Sequence, residues 1–218
     1  MTTLLSQLNS DLGEVAHKAR KSLVQVAAGR RGSGSGVILG ADGLVVTNAH
    51  VVSERKGRHP MRDLRLTLPA GVVMAARLLA KDDGLDVAAL QIGAPDGELP
   101  ELHPIELGDS QVLRPGEWVM AMGYPWGVAG AAAGGIVIGA GPDLPESPGI
   151  GRDWIAVDLS LRPGYSGGPL VDHQGRLIGM STMMAGLEVG MAVPAHVIQE
   201  FVAKVLAGGA GEGDAALA

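Results

Sequence analysis

Apolar and polar positions change rhythm several times along this chain of 218 residues. Over Asn9–Val26, residues Leu12, Val15, Ala16, Ala19 and Leu23 recur at helical spacing, which predicts an amphipathic helix with Asn9, Ser10 or Asp11 as its N-cap. From Ser22 to Ala27 the pattern alternates and predicts a strand. Gly36–Leu39 and Gly43–Thr47 then flank Ala41-Asp42-Gly43, a turn between two β-branched runs and so a hairpin signal. The same layout returns at one constant offset in Gly168–Val171, the turn Asp172–Gly175 and Leu177–Gly179, which predicts two similar β units, one in each half. Between them lie further strands at Leu64–Leu68, Val72–Leu79, Asp86–Ile92, Trp118–Met122, Gly135–Gly139 and Trp154–Leu159. Short strands at this spacing, without strand–helix alternation, predict an all-β sandwich or barrels. After Pro194, the stripe Val197, Ile198, Phe201, Val202, Val205, Leu206 predicts a closing helix that starts at Pro and stops at Gly208-Gly209.

Composition narrows this picture. A chain with 46% hydrophobic residues can bury one large core or two small ones. Its 34 Gly and 13 Pro against 18% charged residues suit many turns rather than a helical bundle. The net charge of -6 supplies no basic field for phosphates, so no nucleic-acid partner is expected. Zero Cys removes thiol nucleophiles, disulfides and thiolate metal sites. Val119–Pro142 is uncharged and long enough to span a bilayer, but its frequent glycines suit two buried strands and their loops. No membrane span is expected. Met1–Ser10 has no basic residue and no sustained apolar run, so no secretory signal is visible, and a cytoplasmic location is favoured over a periplasmic one.

The most unusual local sequence is Pro163-Gly164-Tyr165-Ser166-Gly167-Gly168-Pro169, one hydroxyl bedded among glycines. Glycines there let the N–H groups of Gly164 and Ser166 converge on a small pocket, the geometry an oxyanion needs. A serine hydroxyl is a poor nucleophile until a base takes its proton. His50 stands out, because it lies in a polar island, Thr47-Asn48-Ala49-His50, within an apolar segment. Its imidazole needs an orienting acceptor, and Asp86 is a lone carboxylate opening the apolar run Val87–Ile92. Taken singly, each has a plainer reading: a loop serine, a hydrogen-bonded core histidine, a strand-end carboxylate. His17, His59, His103, His173 and His196 are scattered without ligand spacing, so no metal is expected. Arg30-Arg31 and Arg55–His59 read as solvated loops.

Together the three blocks Thr47–Val52, Leu85–Leu90 and Pro163–Leu170 resemble those of trypsin-like serine proteases, most closely the Deg/HtrA branch. Supporting stretches are Gly34–Leu39, Leu107–Ser110, Gly116–Val119, Gly123–Gly127 and Gly190–Pro194. The resemblance implies two six-stranded antiparallel β-barrels with an N-terminal and a C-terminal helix. It divides the chain into an arm (1–31), a first barrel (32–108), a second barrel (109–193), a helix (194–207) and a disordered tail (208–218). It makes Ser166 the nucleophile, His50 the base and Asp86 the orienting carboxylate, with an oxyanion hole from the N–H groups of Gly164 and Ser166. No cofactor is needed.

By the same resemblance, the primary specificity pocket is expected from Ser160, Leu161, Thr182, Met183, Met184, Gly190, Met191 and Ala192. Ser160 falls where an acidic residue would select Lys or Arg. Met184 at a wall position predicts selection of small to medium apolar residues. The expected function is a serine endopeptidase acting on unfolded or damaged proteins. The alternative is a protease-fold peptide-binding or chaperone-like module with conditional activity. Protein or peptide substrates are the expected partners, with a homotrimer implied by resemblance. Two departures stand out: Tyr165 and Arg162 replace residues that are commonly Asn in the family. The short stretch after Pro194 predicts a chain without a PDZ domain.

Overall fold

The computed structural model describes residues 3–28, 32–53, 64–94, 97–144, 152–185 and 188–209. The elements in chain order are α1 (Leu4–Arg20), β1 (Leu23–Ala28), β2 (Gly32–Ile38), β3 (Leu44–Thr47), β4 (Leu64–Thr67), β5 (Val73–Asp82), β6 (Val87–Ile92), β7 (Trp118–Gly123), β8 (Ala131–Gly141), β9 (Trp154–Asp158), β10 (Pro169–Val171), β11 (Leu177–Ala185), β12 (Val189–Pro194) and α2 (Ala195–Gly209). Two closed antiparallel barrels result, ordered β1-β2-β3-β6-β5-β4 and β7-β8-β9-β12-β11-β10. Val119–Pro142 is most of β7, a loop and all of β8, and no described helix is long and apolar enough to cross a membrane.

Alternation explains why several strands are apolar without interruption. On β3 the side chain of Val45 fills the first barrel, with Val24, Val26, Ile38 and Leu90, while Leu44 and Val46 turn outward. On β7, Val119 and Ala121 fill the second barrel with Ile155 and Leu170, while Met120 and Met122 turn outward. The outward set meets Ala19 of α1 and Ile198 and Phe201 of α2 in a third core between the barrels. Such strands are buried on both faces, so the usual polar half of the alternation is lost.

Three sequence expectations change. Helix α1 starts at Leu4, because the Thr3 side chain accepts the Ser6 N–H at 3.2 Å; its first turns expose Leu4, Leu5 and Leu8 and so show no stripe. β1 belongs to the first barrel, pairing with both β2 and β4, so the arm comprises the helix alone. The duplication is present, but strand order equates the hairpin β2–β3 with β8–β9 and not with β10–β11. The constant offset aligned two turn chemistries, Asp42-Gly43 and Asp172–Gly175, rather than two equivalent strand pairs. The segment after β6 stitches the barrels: Ile105 N–H donates to Ile38 O at 2.9 Å, and Gly108 N–H to Leu177 O at 2.8 Å. α2 runs two residues beyond its expected end. The tail beyond it, Arg30-Arg31 and Arg55–His59 lie outside the described residues.

Candidate active site

The first barrel brings up a preassembled pair. β3 ends at Thr47, and Asn48 in extended conformation opens a single 3-10 turn, Ala49–Val51, that carries His50. Asp86 stands just before β6 with φ of +55°, a backbone state a non-glycine residue keeps only when its surroundings hold it. Here Asn48 Nδ2 donates to the Asp86 carbonyl at 2.9 Å. The Asp86 carboxylate accepts the His50 backbone N–H at 3.0 Å and faces His50 Nδ1 at 2.9 Å, and the Thr182 hydroxyl donates to Oδ2. Burial alone would raise the Asp86 carboxyl, but the hydrogen bonds from His50 and Thr182 and the His50 charge outweigh it and hold it below the ordinary carboxylate range. An ionised carboxylate only accepts. In the neutral imidazole the tautomer that suits this carboxylate carries its proton on Nδ1, which puts the lone pair on Nε2.

The second barrel supplies the glycine-bedded loop. Gly164 has φ of +107°, and a Cβ on it would lie 2.5 Å from Tyr124 O; Gly167 has φ of +82°, with Ser35 O only 2.1 Å from such a Cβ. These two positions admit glycine alone. The loop is anchored from both barrels. Ser35 of β2, fully buried, donates its hydroxyl to Gly164 O at 2.7 Å and its N–H to Ser166 O at 2.8 Å. Tyr124 N–H also points at Gly164 O, at 3.1 Å. Among the described residues, the N–H groups of Gly164 and Ser166 donate to no protein acceptor, while Tyr165 N–H closes onto Arg162 O and Gly168 N–H onto Tyr165 O. Two free donors thus flank the Ser166 hydroxyl.

That hydroxyl donates to Thr182 O at 2.8 Å. Among the described residues no hydrogen bond joins it to His50. Thr182 therefore links the halves: its hydroxyl holds Asp86 and its carbonyl holds Ser166.

The remaining expected residues separate into groups. Met184 pairs directly with Gly190 across β11 and β12, Leu161 lies 3.0 Å from a Cβ on Gly190, and Leu161 N–H donates to the Met184 sulfur at 3.1 Å. Ala192 lines the same interior, beside Leu159 and Tyr165. Met191, between Gly190 and Ala192, points the opposite way into the core between the barrels, as strand alternation requires, so it is no pocket residue. Ser160 is exposed rather than at a pocket base. Met183 instead lines a cavity of about 420 Å3 with His50, Asp86, Thr182, Trp154 and Arg152. Tyr165 is buried in the second barrel, where burial raises its phenol above the usual value. Ser35, Asn48 and Arg152 went unread in the sequence, since each acts through residues distant along the chain. No group of three His, Cys, Asp or Glu side chains able to hold a metal occurs among the described residues.

Two closed six-stranded barrels, with a His–Asp pair at the end of one facing a glycine-bedded serine of the other, define the trypsin-like double-barrel class. The family model described as a trypsin-like peptidase domain matches residues 34–180, and the chain belongs to that family. It is 37% identical over 172 residues to the mitochondrial serine protease HTRA2 of Bos taurus, covering 78% of this chain and 35% of that one. It is 33% identical over 182 residues to a probable periplasmic DegP-like serine endoprotease of Bartonella henselae, covering 79% and 34%. A solved HtrA-type protease, AlgW with tripeptide, superposes with a TM-score of 0.79 at 27% identity, covering 90% of this chain and 64% of the other. The chain thus spans about a third of the length of these curated relatives.

Proposed function

We propose that this domain is a serine endopeptidase in which His50, Asp86 and Ser166 act as a triad. The observation that carries the reading is the convergence on Thr182: one residue binds both the carboxylate behind the base and the hydroxyl of the nucleophile. The reading requires that rotation about the Ser166 Cα–Cβ bond carry that hydroxyl from Thr182 O to Nε2 of His50. Such bonds are often unmade in the empty enzyme and close with substrate bound. Ser166 Oγ then attacks the scissile carbonyl carbon while His50 takes its proton, and the oxyanion receives the Gly164 and Ser166 N–H groups. His50 returns the proton to the leaving amine as the C–N bond breaks. Water, deprotonated by His50, hydrolyses the resulting ester and frees Ser166.

For specificity we favour small to medium apolar side chains, since Leu161 and Met184 meet over Gly190 and narrow the space that the family resemblance assigns to the specificity pocket. Protein chains with exposed apolar segments fit such a pocket, and the protease names of the relatives support protein substrates. One observation favours a second reading, a peptide-binding module with conditional activity: the resting Ser166 hydroxyl is turned away from His50.

Labelling with a peptidyl phosphonate, read by intact mass, separates the two. The peptidase reading expects one adduct on wild type, none on Ser166→Ala, and a loss on the order of 10⁶-fold in turnover for that variant. Folded wild type that neither labels nor cleaves an unfolded protein, yet binds it equally with or without the Ser166 hydroxyl, establishes the binding module instead. Cleavage-site profiling on the same substrate reads the pocket.

A further inference from the structure

The turn Tyr124–Val128 lies directly against the loop that carries Gly164. Its base is tied by main-chain contact: Tyr124 N–H reaches Gly164 O, and Gly127 N–H and Val128 N–H close the turn onto Tyr124 O and Pro125 O. At its tip stands Trp126, 74% exposed, with φ of +53°. A bulky residue in the left-handed region is strained, and the strain persists only when neighbouring contacts hold it. Trp126 belongs to none of the apolar cores. What meets its ring is Arg162, whose guanidinium carbon lies 5.3 Å from the ring centroid. Among the described residues no carboxylate lies within ion-pair reach of Arg162. Arg162 also opens the tight turn of the oxyanion loop, because its carbonyl accepts the Tyr165 N–H at 3.0 Å with Gly164 enclosed between them.

We infer that Trp126 and Arg162 form a clamp that aims the Gly164 N–H, with Trp126 as a positioning residue for acyl transfer. The inference rests on the peptidase reading. Two contacts locate the turn: main-chain bonds hold the carbonyl side of Gly164, and the stacked pair holds the segment leading into its N–H. An oxyanion donor stabilises the transition state only if it is aimed before charge develops. Without the ring, the segment Arg162–Gly164 keeps its hydrogen bonds but samples more orientations, and fewer molecules present the donor correctly. The loss falls on kcat, since the clamp touches no substrate.

Steady-state kinetics on a fluorogenic peptide test this with W126N, W126F, R162Q and the double variant W126N/R162Q. Asn tolerates the left-handed backbone and removes the ring. W126N and R162Q are each expected to lower kcat about three- to five-fold, the scale of an exposed cation–π pair. That is well short of the roughly 100-fold cost of losing an oxyanion donor. KM stays within about two-fold, W126F keeps most of the activity, the double variant is no slower than either single one, and phosphonate labelling slows in parallel. An unchanged kcat overturns the clamp, and so does a loss carried by KM, which makes the ring a substrate contact. Losses that add in the double variant also overturn it. Wild type that neither turns over nor labels removes the peptidase reading itself, whereas active wild type with unmoved variants removes the clamp alone.

Discussion

The two barrels share one strand order yet hold their halves of the site by different means. In the first, His50 and Asp86 lie at strand ends of one barrel and bond each other, Asn48 of the same barrel pins the Asp86 carbonyl, and the second barrel adds only the Thr182 hydroxyl. In the second, the loop around Ser166 is held from both sides, by Ser35 on β2 of the first barrel and by Tyr124 and Ser181 of its own. The His50–Asp86 pair therefore rests mainly on one barrel, whereas the Ser166 loop depends on contacts from two. Duplicated folds do not imply duplicated control.

The sharpest way to break the comparison is Asp86→Asn. The carboxamide presents a donor as well as an acceptor to Nδ1 and no longer fixes the imidazole proton there, so turnover is expected to fall about 10⁴-fold with the melting transition little changed. Hydrolysis rates on one peptide across pH check it, and a fall below tenfold would show that Asp86 does not orient the imidazole. Ser35→Ala addresses the other half. It removes the hydroxyl from Gly164 O and leaves that buried carbonyl to Tyr124 alone, with an expected loss of about ten-fold in kcat and roughly 1–2 kcal/mol in stability. Paired denaturation curves and kinetics would show whether a first-barrel residue governs the second barrel's loop; a stability loss with full kcat would not.

The smallest effect on turnover comes from a carboxylate outside the site. Asp172, in the turn between β10 and β11, accepts Gln174 N–H and Arg176 N–H and pairs with the Arg176 guanidinium at 2.7 Å. Burial raises its carboxyl, but the bonds from Arg176 and Gln174 outweigh that and leave it lowered. Because the folded value lies below the unfolded one, its stabilisation is present above the unfolded value of about 3.9 and is lost as pH falls through the lower folded value. Asp172→Asn is therefore expected to lower stability by about 2 kcal/mol near neutrality, with the difference shrinking in acid and kcat unmoved. Urea titrations at neutral and strongly acidic pH measure the gap. A constant gap contradicts the ionised pair.

Legibility followed the range of the interactions. The chemistry of Ser166 was readable because a hydroxyl among glycines is a local signature, and that of His50 because a polar island interrupts an apolar run. Met191 was misread because resemblance placed it by neighbourhood, while the pleat places it by parity. Ser35 carried no signal, since the group it holds is 129 residues away and a serine in a glycine-rich strand looks ordinary. The stacked partner and left-handed backbone of Trp126 are visible only in three dimensions.

By itself, then, the order of residues determined the strands other than β12, the glycine-only positions of the loop and the three chemical groups of the site, because those depend on backbone sterics and on side-chain identity over a few neighbouring positions. Tertiary structure alone decided which strands are equivalent, that Thr182 joins the Asp86 carboxylate to the Ser166 hydroxyl, that the Ser166 loop leans on Ser35, and that Trp126 meets Arg162. Those outcomes depend on barrel closure and docking, which bring together groups that no local pattern relates.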